Sequence, residues 1–547
     1  MMKIELELPY NKCQRELQEL LQAQHPLIFL RSSEESRAIQ CAIDAHLSLV
    51  KANPQLDSNV IARWSSIEGF QKRTIQDNDP KKAAWTSVGT APQPDRDPIL
   101  QALATLRGQL QEATNNNKTQ YTFLLPDWPV FIRPDSDLTT RQLKELVIAI
   151  EQKRPRPKMT LIIVASDWSI PTILRNNVHI LDLELPIGKE LYQNVFEFAV
   201  KRKGVIEDAA QRLAEQAQGI SQQAATQTAK LITARNLWSN AEEAGKLLLE
   251  VKKQEIRKTG ILEYYAPQGE GLKDVGGLEE LKTWLTNRYP WFEQDFRPEM
   301  RPRAILLEGF PGCGKSFIAK AIAQEWRVPQ INFEISRLQS KWIGESESNT
   351  YQALRAIEAS APNILFMDEI EKAFSGVGGD SSGVSTRQFG TFLSWLNDHQ
   401  YPIFFIATSN NREQLPPELF RAGRFDEIFI VLPPNDQERL EIIEKRLKFY
   451  KLSNIPEMNF EFLVKKTSGF SGAELDKLVK ETIYLAGWEK IPTQIHWEQA
   501  LGQINPQYRT PLMQSLLGKY ITLLKEGGGK PASKLDWDFL ESLIISS

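Results

Sequence analysis

Short apolar runs alternate with longer segments whose apolar residues recur at helical spacing, and the alternation runs through the chain twice. In the first half, Leu27 to Leu30, Val60 to Trp64, Tyr121 to Leu125, Leu161 to Ala165 and Ile180 to Leu183 read as buried strands. In the second, Ala304 to Leu307, Gln330 to Phe333, Ile364 to Met367, Ile403 to Ala407 and Ile428 to Leu432 form a matching series. Strands separated by helix-length segments predict a parallel sheet with helices on both faces. Local wording repeats as well. Leu161-Ile-Ile-Val-Ala-Ser-Asp-Trp, followed by Ile170-Pro-Thr-Ile-Leu, parallels Phe404-Phe-Ile-Ala-Thr-Ser-Asn, followed by Leu415-Pro-Pro-Glu-Leu. Leu185-Pro186 parallels Leu432-Pro433, and Gly219-Ile-Ser-Gln-Gln-Ala parallels Gly469-Phe-Ser-Gly-Ala-Glu. These matches point to a duplicated architecture.

Composition narrows the class. The 547 residues exceed one hydrophobic core, and domain sizes suggest about three or four units. Apolar residues make up 41% and the formal net charge is −3, so cores can form and no global basic field draws the molecule to nucleic acid or anionic lipid. No apolar stretch has the length of a membrane span, and acid at Glu5 and Glu7 stands where a signal peptide would be apolar. Three widely spaced cysteines, Cys13, Cys41 and Cys313, argue for a reducing compartment. The expected location is the cytoplasm. None of the five histidines has metal-ligand spacing from a cysteine. Gln71 to Asp97 reads as a solvated loop, Gln268 to Gly277 as the join between halves, and Glu526 to Ser533 as a flexible linker to an amphipathic tail.

The chemistry lies in the second half. Gly309-Phe-Pro-Gly-Cys-Gly-Lys315-Ser316 follows a strand and opens a helix, the arrangement in which backbone N–H groups curl around phosphate oxygens and a helix N-terminus faces the anion. Lys315 should reach the β- and γ-phosphates, and Ser316 should bind Mg²⁺. Asp368 and Glu369 end a later buried strand, where open α/β sheets bind ligands. Asp368 is assigned to the metal and Glu369 to the attacking water. Asn410, with Asn411 as the alternative, is expected beside the γ-phosphate, and Arg421 and Arg424 are read as arginines supplied to a neighbouring subunit's phosphoryl group. No Asn-Lys-x-Asp segment occurs, which disfavours GTP.

From about Leu272 to Leu523 these motifs resemble the AAA family of AAA+ ATPases. The resemblance implies that Asp274, Val275 and Gly276 of Asp274-Val-Gly-Gly-Leu line the adenine pocket. It also implies a nucleotide-contacting set of Gly309, Phe310, Pro311, Gly312, Cys313, Gly314, Lys315, Ser316 and Phe317, with Gly472 and Ala473 from the lid. Lys341, Trp342 and Ile343 fall where AAA unfoldases carry an aromatic pore loop. Taken whole, the chain resembles the cyanobacterial and plastid-encoded AAA proteins with a degenerate first half. The implied fold is α/β: a P-loop NTPase parallel sheet with an all-helical lid, preceded by a degenerate AAA-like α/β domain with its own lid. The implied boundaries are 1–187 and 188–258 for the first core and lid, 259–432 and 433–525 for the second, and 526–547 for linker and tail. ATP and Mg²⁺ are the implied cofactors. The implied partners are further copies of the chain, in a hexamer, and a protein substrate or adaptor; an organelle-encoded copy would work in the plastid stroma. A nucleotide-switched scaffold with little turnover is the alternative.

The first half keeps the plan without the chemistry. Arg31-Ser-Ser-Glu-Glu-Ser-Arg replaces the phosphate loop, and Leu125-Pro-Asp127-Trp lacks the second carboxylate. It is expected to bind substrate or adaptor, or to brace the ring. Cys313 at a helix N-terminus could have a lowered pKa and be oxidation-sensitive, or be a tolerated small side chain. The basic run Lys153 to Lys158 reads as a solvated loop, with an acidic partner or nucleic acid as the alternative.

Overall fold

The computed structural model describes residues 7–56, 58–75, 83–87, 92, 97–116, 118–132, 137–293, 297–334, 346–373, 384–421, 423–452, 459–487 and 491–545. The chain divides into two compact units, Met1–Val251 and Lys252–Ser547. The first contains strands β1 (Leu27–Arg31), β2 (Ser58–Ser65), β3 (Gly69–Ile75), β4 (Ala83–Ser87), β5 (Thr119–Pro126), β6 (Met159–Ala165) and β7 (His179–Asp182). The second contains β8 (Leu262–Tyr265), β9 (Ala304–Gly309), β10 (Gln330–Phe333), β11 (Asn363–Met367), β12 (Ile403–Ser409), β13 (Glu427–Val431) and β14 (Lys530–Pro531).

Each sheet has a parallel centre. In the first unit the centre runs β7-β1-β6-β5-β2, and in the second β13-β9-β12-β11-β10, with β14 a further parallel strand beside β13. Counted along the chain among these five strands, both centres read fifth, first, fourth, third, second. The two halves therefore share a topology as well as local wording. The central strands β6 and β12 are buried along their whole length, as expected where helices cover both faces.

Period-two alternation explains the two layers. In β1, Ile28 and Leu30 pack with Ile162 and Val164 under the helices Pro9–Gln22 and Glu35–Ala52. Leu27 and Phe29 pack with Leu161 and Ile163 under Pro98–Asn115 and Asp137–Gln152. The register pairs Ile28 with Ile162 and Leu30 with Val164, so a one-residue slip would exchange the two cores. Separate helical cores follow each sheet: one around Leu191, Leu213, Ala229 and Leu248, the other around Leu463, Leu475, Leu478 and Trp497.

Three connections differ from their sequence reading. Within the stretch read as a solvated loop, β3 and β4 extend the first sheet antiparallel beyond β2. β4 is the edge strand and β3 the strand inside it, and both carry polar residues, so composition resembled a loop; Arg63 lies over the Trp85 ring and donates to Gln71. The join between halves is not at Gln268 to Gly277. The units divide after Val251, and Leu272 and Val275 are buried in the second core. The glycines there allow close packing: a Cβ on Gly276 would lie 2.6 Å from the Ile442 side chain. The segment Glu526 to Ser533 is docked. Arg412 donates to the Gly528 carbonyl at 2.6 Å, β14 pairs with β13, and Leu540 and Leu543 of the tail helix enter the core. Apolar burial of that helix outweighs the freedom its glycines would permit. One further strand, β8, was not anticipated; it pairs antiparallel with β10.

The basic run Lys153 to Lys158 forms the loop before β6, where Arg156 donates to the Gln24 carbonyl at 2.8 Å.

Candidate functional site

The end of β9 is shaped for close approach. Gly309 has φ +143°, and a Cβ there would lie 2.1 Å from the Val431 carbonyl oxygen. Gly312 and Gly314, at φ +75° and +89°, turn the chain into the helix Lys315–Glu325. A strand, a glycine turn and a helix N-terminus in this order make a cradle for an anion. Lys315 reaches back across the turn, its Nζ donating to the carbonyls of Gly309 at 2.8 Å and Phe310 at 3.0 Å and to Asn410 Oδ1 at 2.8 Å. Burial pushes the ammonium pKa down, opposed by Cys313, Glu371, Asp368 and Glu369.

The carboxylates come from the end of β11. Ser316 Oγ donates to Asp368 at 3.1 Å, and Thr408 Oγ1 at the end of β12 also donates to Asp368. Thr408 accepts from the Glu369 backbone N–H at 2.8 Å. Glu369 sits at φ +49°, a conformation that costs a non-glycine residue energy and persists where neighbours over-determine it. Its Oε1 accepts from Asn410 Nδ2 at 3.0 Å, and the other oxygen pairs with Lys372. Asn410 thus bridges Lys315 and Glu369. Asn411 does not enter this network; its Oδ1 caps the turn Arg412–Gln414, accepting from the Glu413 N–H at 3.1 Å.

A cavity of about 450 Å³ opens beside the loop. Its lining brings together Asp274, Val275, Gly276, Pro311, Gly312, Cys313, Gly314, Lys315, Ser316, Phe317, Asp368, Glu369, Asn410, Gly472 and Ala473. Gly309 and Phe310 stand behind this surface, Phe310 fully buried. The lid closes one side, with Ala473 N–H donating to the Gly312 carbonyl at 2.9 Å. At the far end Lys445 donates to the Val275 carbonyl at 2.7 Å, and the Arg446 guanidinium stacks over Phe317 and pairs with Glu270.

The AAA family, ATPases associated with various cellular activities, matches residues 305–432, and the SpoVK-like AAA ATPase N-terminal domain matches residues 13–183. A relative in Guillardia theta, an uncharacterized AAA domain-containing protein ycf46, is 32% identical over 473 residues, 85% of this chain and 86% of the relative. The ycf46 protein of Trieres chinensis is 33% identical over 85% of this chain and 88% of its own length. The chain belongs to the AAA ATPases. It shares that membership with relatives whose own activity is uncharacterized.

Several residues of this AAA chain lay beyond sequence reasoning. Thr408 ties both carboxylate positions to β12, and Glu371, buried, accepts from the Asn410 N–H at 2.9 Å. Two polar residues closing the apolar strand β12 were the available signal for Thr408. Ile442, Lys445, Arg446 and Asp476 line the cavity from the lid, and nothing in their spacing relates them to the loop.

Arg421 and Arg424 do not line this cavity. The Arg421 side chain is 72% exposed beside Glu418, and Arg424 donates to the Glu418 carbonyl. Lys341, Trp342 and Ile343 lie outside the described residues. Cys313 departs from the low-pKa reading: burial pushes its thiol up to about 12, against the pull of Lys315. Desolvation of a thiolate in an apolar pocket outweighs the helix field.

In the first unit the corresponding turn is bridged by ion pairs and lines an open cavity of about 1000 Å³. The lid helices of the two units begin alike, at Ser221 and Ser471 caps two residues after Gly219 (φ +94°) and Gly469 (φ +79°). Ala473 N–H, two residues after its cap, meets a backbone carbonyl in the AAA core; in the first unit Gln222 N–H, one residue after its cap, meets the Glu34 carboxylate at 2.5 Å. Arg37 donates to Glu34 at 3.1 Å and to Glu190 at 2.8 Å, all three being buried. Asp127, at φ +53°, repeats the conformation of Glu369 after the strand of the same rank. The topology persists while the phosphate cradle has become an ion network.

Proposed function

We propose that this chain binds ATP with Mg²⁺ and hydrolyses it within a ring of identical chains, using the reaction to remodel or thread a protein. The convergence of Lys315, Asn410, Asp368 and Glu369 on one glycine turn carries this reading. The donor set fits the cofactor: Ser316 and Asp368 already meet through oxygen atoms at 3.1 Å, the hard ligands Mg²⁺ prefers. Mg²⁺ held there by Ser316 and Asp368 would supply charge neutralisation for the phosphates.

The remaining roles belong to the chain. The loop from Gly309 to Ser316 cradles the phosphates, and Lys315 exchanges its carbonyl partners for phosphate oxygens. Glu369 orients and polarises the attacking water, while Asn410 senses the γ-phosphate, the reading favoured over Asn411 by its bonds to Lys315 and Glu369. Asp274, Val275, Gly276 and Phe317 hold the base end, and Gly472 and Ala473 close the lid. Arg421, exposed, and Arg424, part-buried, both outside their own cavity, serve the next copy of a hexamer. Lys341, Trp342 and Ile343 grip the substrate polypeptide. Each half is a core and a lid, 1–187 with 188–258 and 259–432 with 433–525, the first half binding substrate or adaptor or bracing the ring. The setting is the cytoplasm, or the plastid stroma for an organelle-encoded copy.

The test compares phosphate release and nucleotide retention in the wild type and Glu369→Gln. Loss of roughly 10² or more in turnover with ATP retained is expected when a positioned base is removed. Slow turnover indifferent to the substitution would overturn the hydrolytic reading and favour a nucleotide-switched scaffold.

A further inference from the structure

The main chain of Asn410 is held from behind by two side chains, neither of which lines the nucleotide cavity. Its N–H donates to Glu371 Oε1 at 2.9 Å, and its carbonyl accepts from the Tyr520 hydroxyl at 2.9 Å. Tyr520 is 2% exposed and lies on the C-terminal helix Pro511–Lys525. With both backbone groups pinned, the side-chain amide is presented in one sense, Oδ1 to Lys315 and Nδ2 to Glu369. The same helix braces the following turn: Lys519 pairs with Glu413 at 3.0 Å, and Arg412 donates to Gly528 just beyond the helix end.

The other end of this segment is fastened to the lid. Gln507 N–H donates to Glu474 Oε1 at 2.8 Å. Glu474 is the capping-box partner of Ser471, at the start of the lid helix whose Ala473 bonds the phosphate loop. Tyr508 packs so tightly on Gly469 that a Cβ there would lie 2.5 Å from its ring. Gln514 donates to the Tyr508 carbonyl at 2.7 Å, tying the lid-facing turn to the helix. Leu517 and Ile521 are buried in the AAA core. One continuous stretch therefore touches the lid at the phosphate loop and the backbone of Asn410.

We propose that Tyr520 is a positioning residue for Asn410, and that the segment Gln507–Lys525, the last part of 433–525, is a strut through which the lid helices that precede it set the orientation of that residue. Resting on the ATP-hydrolysis reading, the strut gives the lid a route to the γ-phosphate side of the site that does not pass through nucleotide. A lid displaced by nucleotide exchange would pull on Gln507 and Tyr508, and the hydroxyl of Tyr520 would carry the displacement to the Asn410 carbonyl.

Tyr520→Phe removes one hydroxyl and leaves the packed ring. Loss of one hydrogen bond predicts about fivefold lower kcat, with the KM for ATP unchanged. A double-mutant cycle with Asn410→Ala separates positioning from general stability: in the Asn410→Ala background Tyr520→Phe should have no further effect on kcat. Equal losses in both backgrounds, or an unchanged kcat in the single variant, would overturn the proposal. Should the wild type show no turnover, the hydrolytic reading falls, and the strut is decided by amide exchange across Asn410–Gln414 in the protein without nucleotide. Faster exchange in Tyr520→Phe supports it; identical exchange overturns it.

Discussion

Replacing Arg37 by methionine tests whether the first unit holds its lid by an internal ion network. The Arg37, Glu34 and Glu190 side chains are 5%, 6% and 2% exposed, with nitrogen–oxygen separations of 3.1 and 2.8 Å. Methionine preserves much of the volume and removes the charge, leaving two buried carboxylates without their cation. Breaking a buried pair in this way costs about 3–5 kcal/mol, or roughly two to nearly four decades in a local opening constant. Burial raises the Glu34 and Glu190 pKa values above the ordinary 4.5, and Arg37 is the leading group that opposes the rise. A carboxyl with a raised folded pKa contributes stability below its unfolded pKa and loses it as pH rises through the folded value. Without Arg37 that loss deepens, so the deficit relative to wild type should be large at pH 7.5 and smaller near pH 5. Amide exchange of β1 and the helix Gln222–Ala234 in the full chain, corrected for intrinsic rates, reads this directly. A deficit below about 1 kcal/mol would place the network among weak surface pairs and refute the reasoning, as would one that grows toward acid.

Two further substitutions probe the second unit. Gly309→Ala should abolish ATP binding in calorimetry, because its Cβ would stand 2.1 Å from a backbone oxygen of β13 and the φ of +143° is hostile to an L side chain; wild-type affinity would show that the close approach of β9 to β13 is dispensable. Glu308 is fully buried and its pKa is pushed up to about 7 by burial, with Arg412 opposing, so its contribution to stability should fade as pH rises from about 4.5 through 7. Glu308→Gln should therefore flatten the decline in urea midpoint between pH 5.5 and 8, and an unaltered slope would contradict the shift.

Much of the fold was legible because burial writes itself into short apolar runs. The five predicted strands of each half occur within a few residues of their expected limits, since a strand covered on both faces has no polar side to disguise it. Strands outside the parallel centres were not legible in the same way. β3 and β4 carry polar residues, β8 has only two buried positions in four residues, and β14 is two residues long within a glycine-rich segment. The site divides similarly. The phosphate turn and the carboxylate pair are local, set by glycine conformation and a strand end, so residues adjacent in sequence express them. Thr408, Glu371, Lys445 and Tyr520 act through partners far away in sequence, which no local pattern specifies.

By itself the sequence determined a repeated α/β plan, one half with a phosphate cradle and one without, because backbone conformation and side-chain chemistry over a few residues decide both. Tertiary structure alone decided which asparagine faces the lysine, how deeply Cys313 is desolvated, and which charges meet at the corresponding turn of the first half. It also decided that the C-terminal segment is part of the second core. Each of these depends on distance and dielectric between residues that meet only after folding: Asn410 with Lys315 across 95 positions, Gln222 with Glu34 across 188, and Tyr520 with Asn410 across 110.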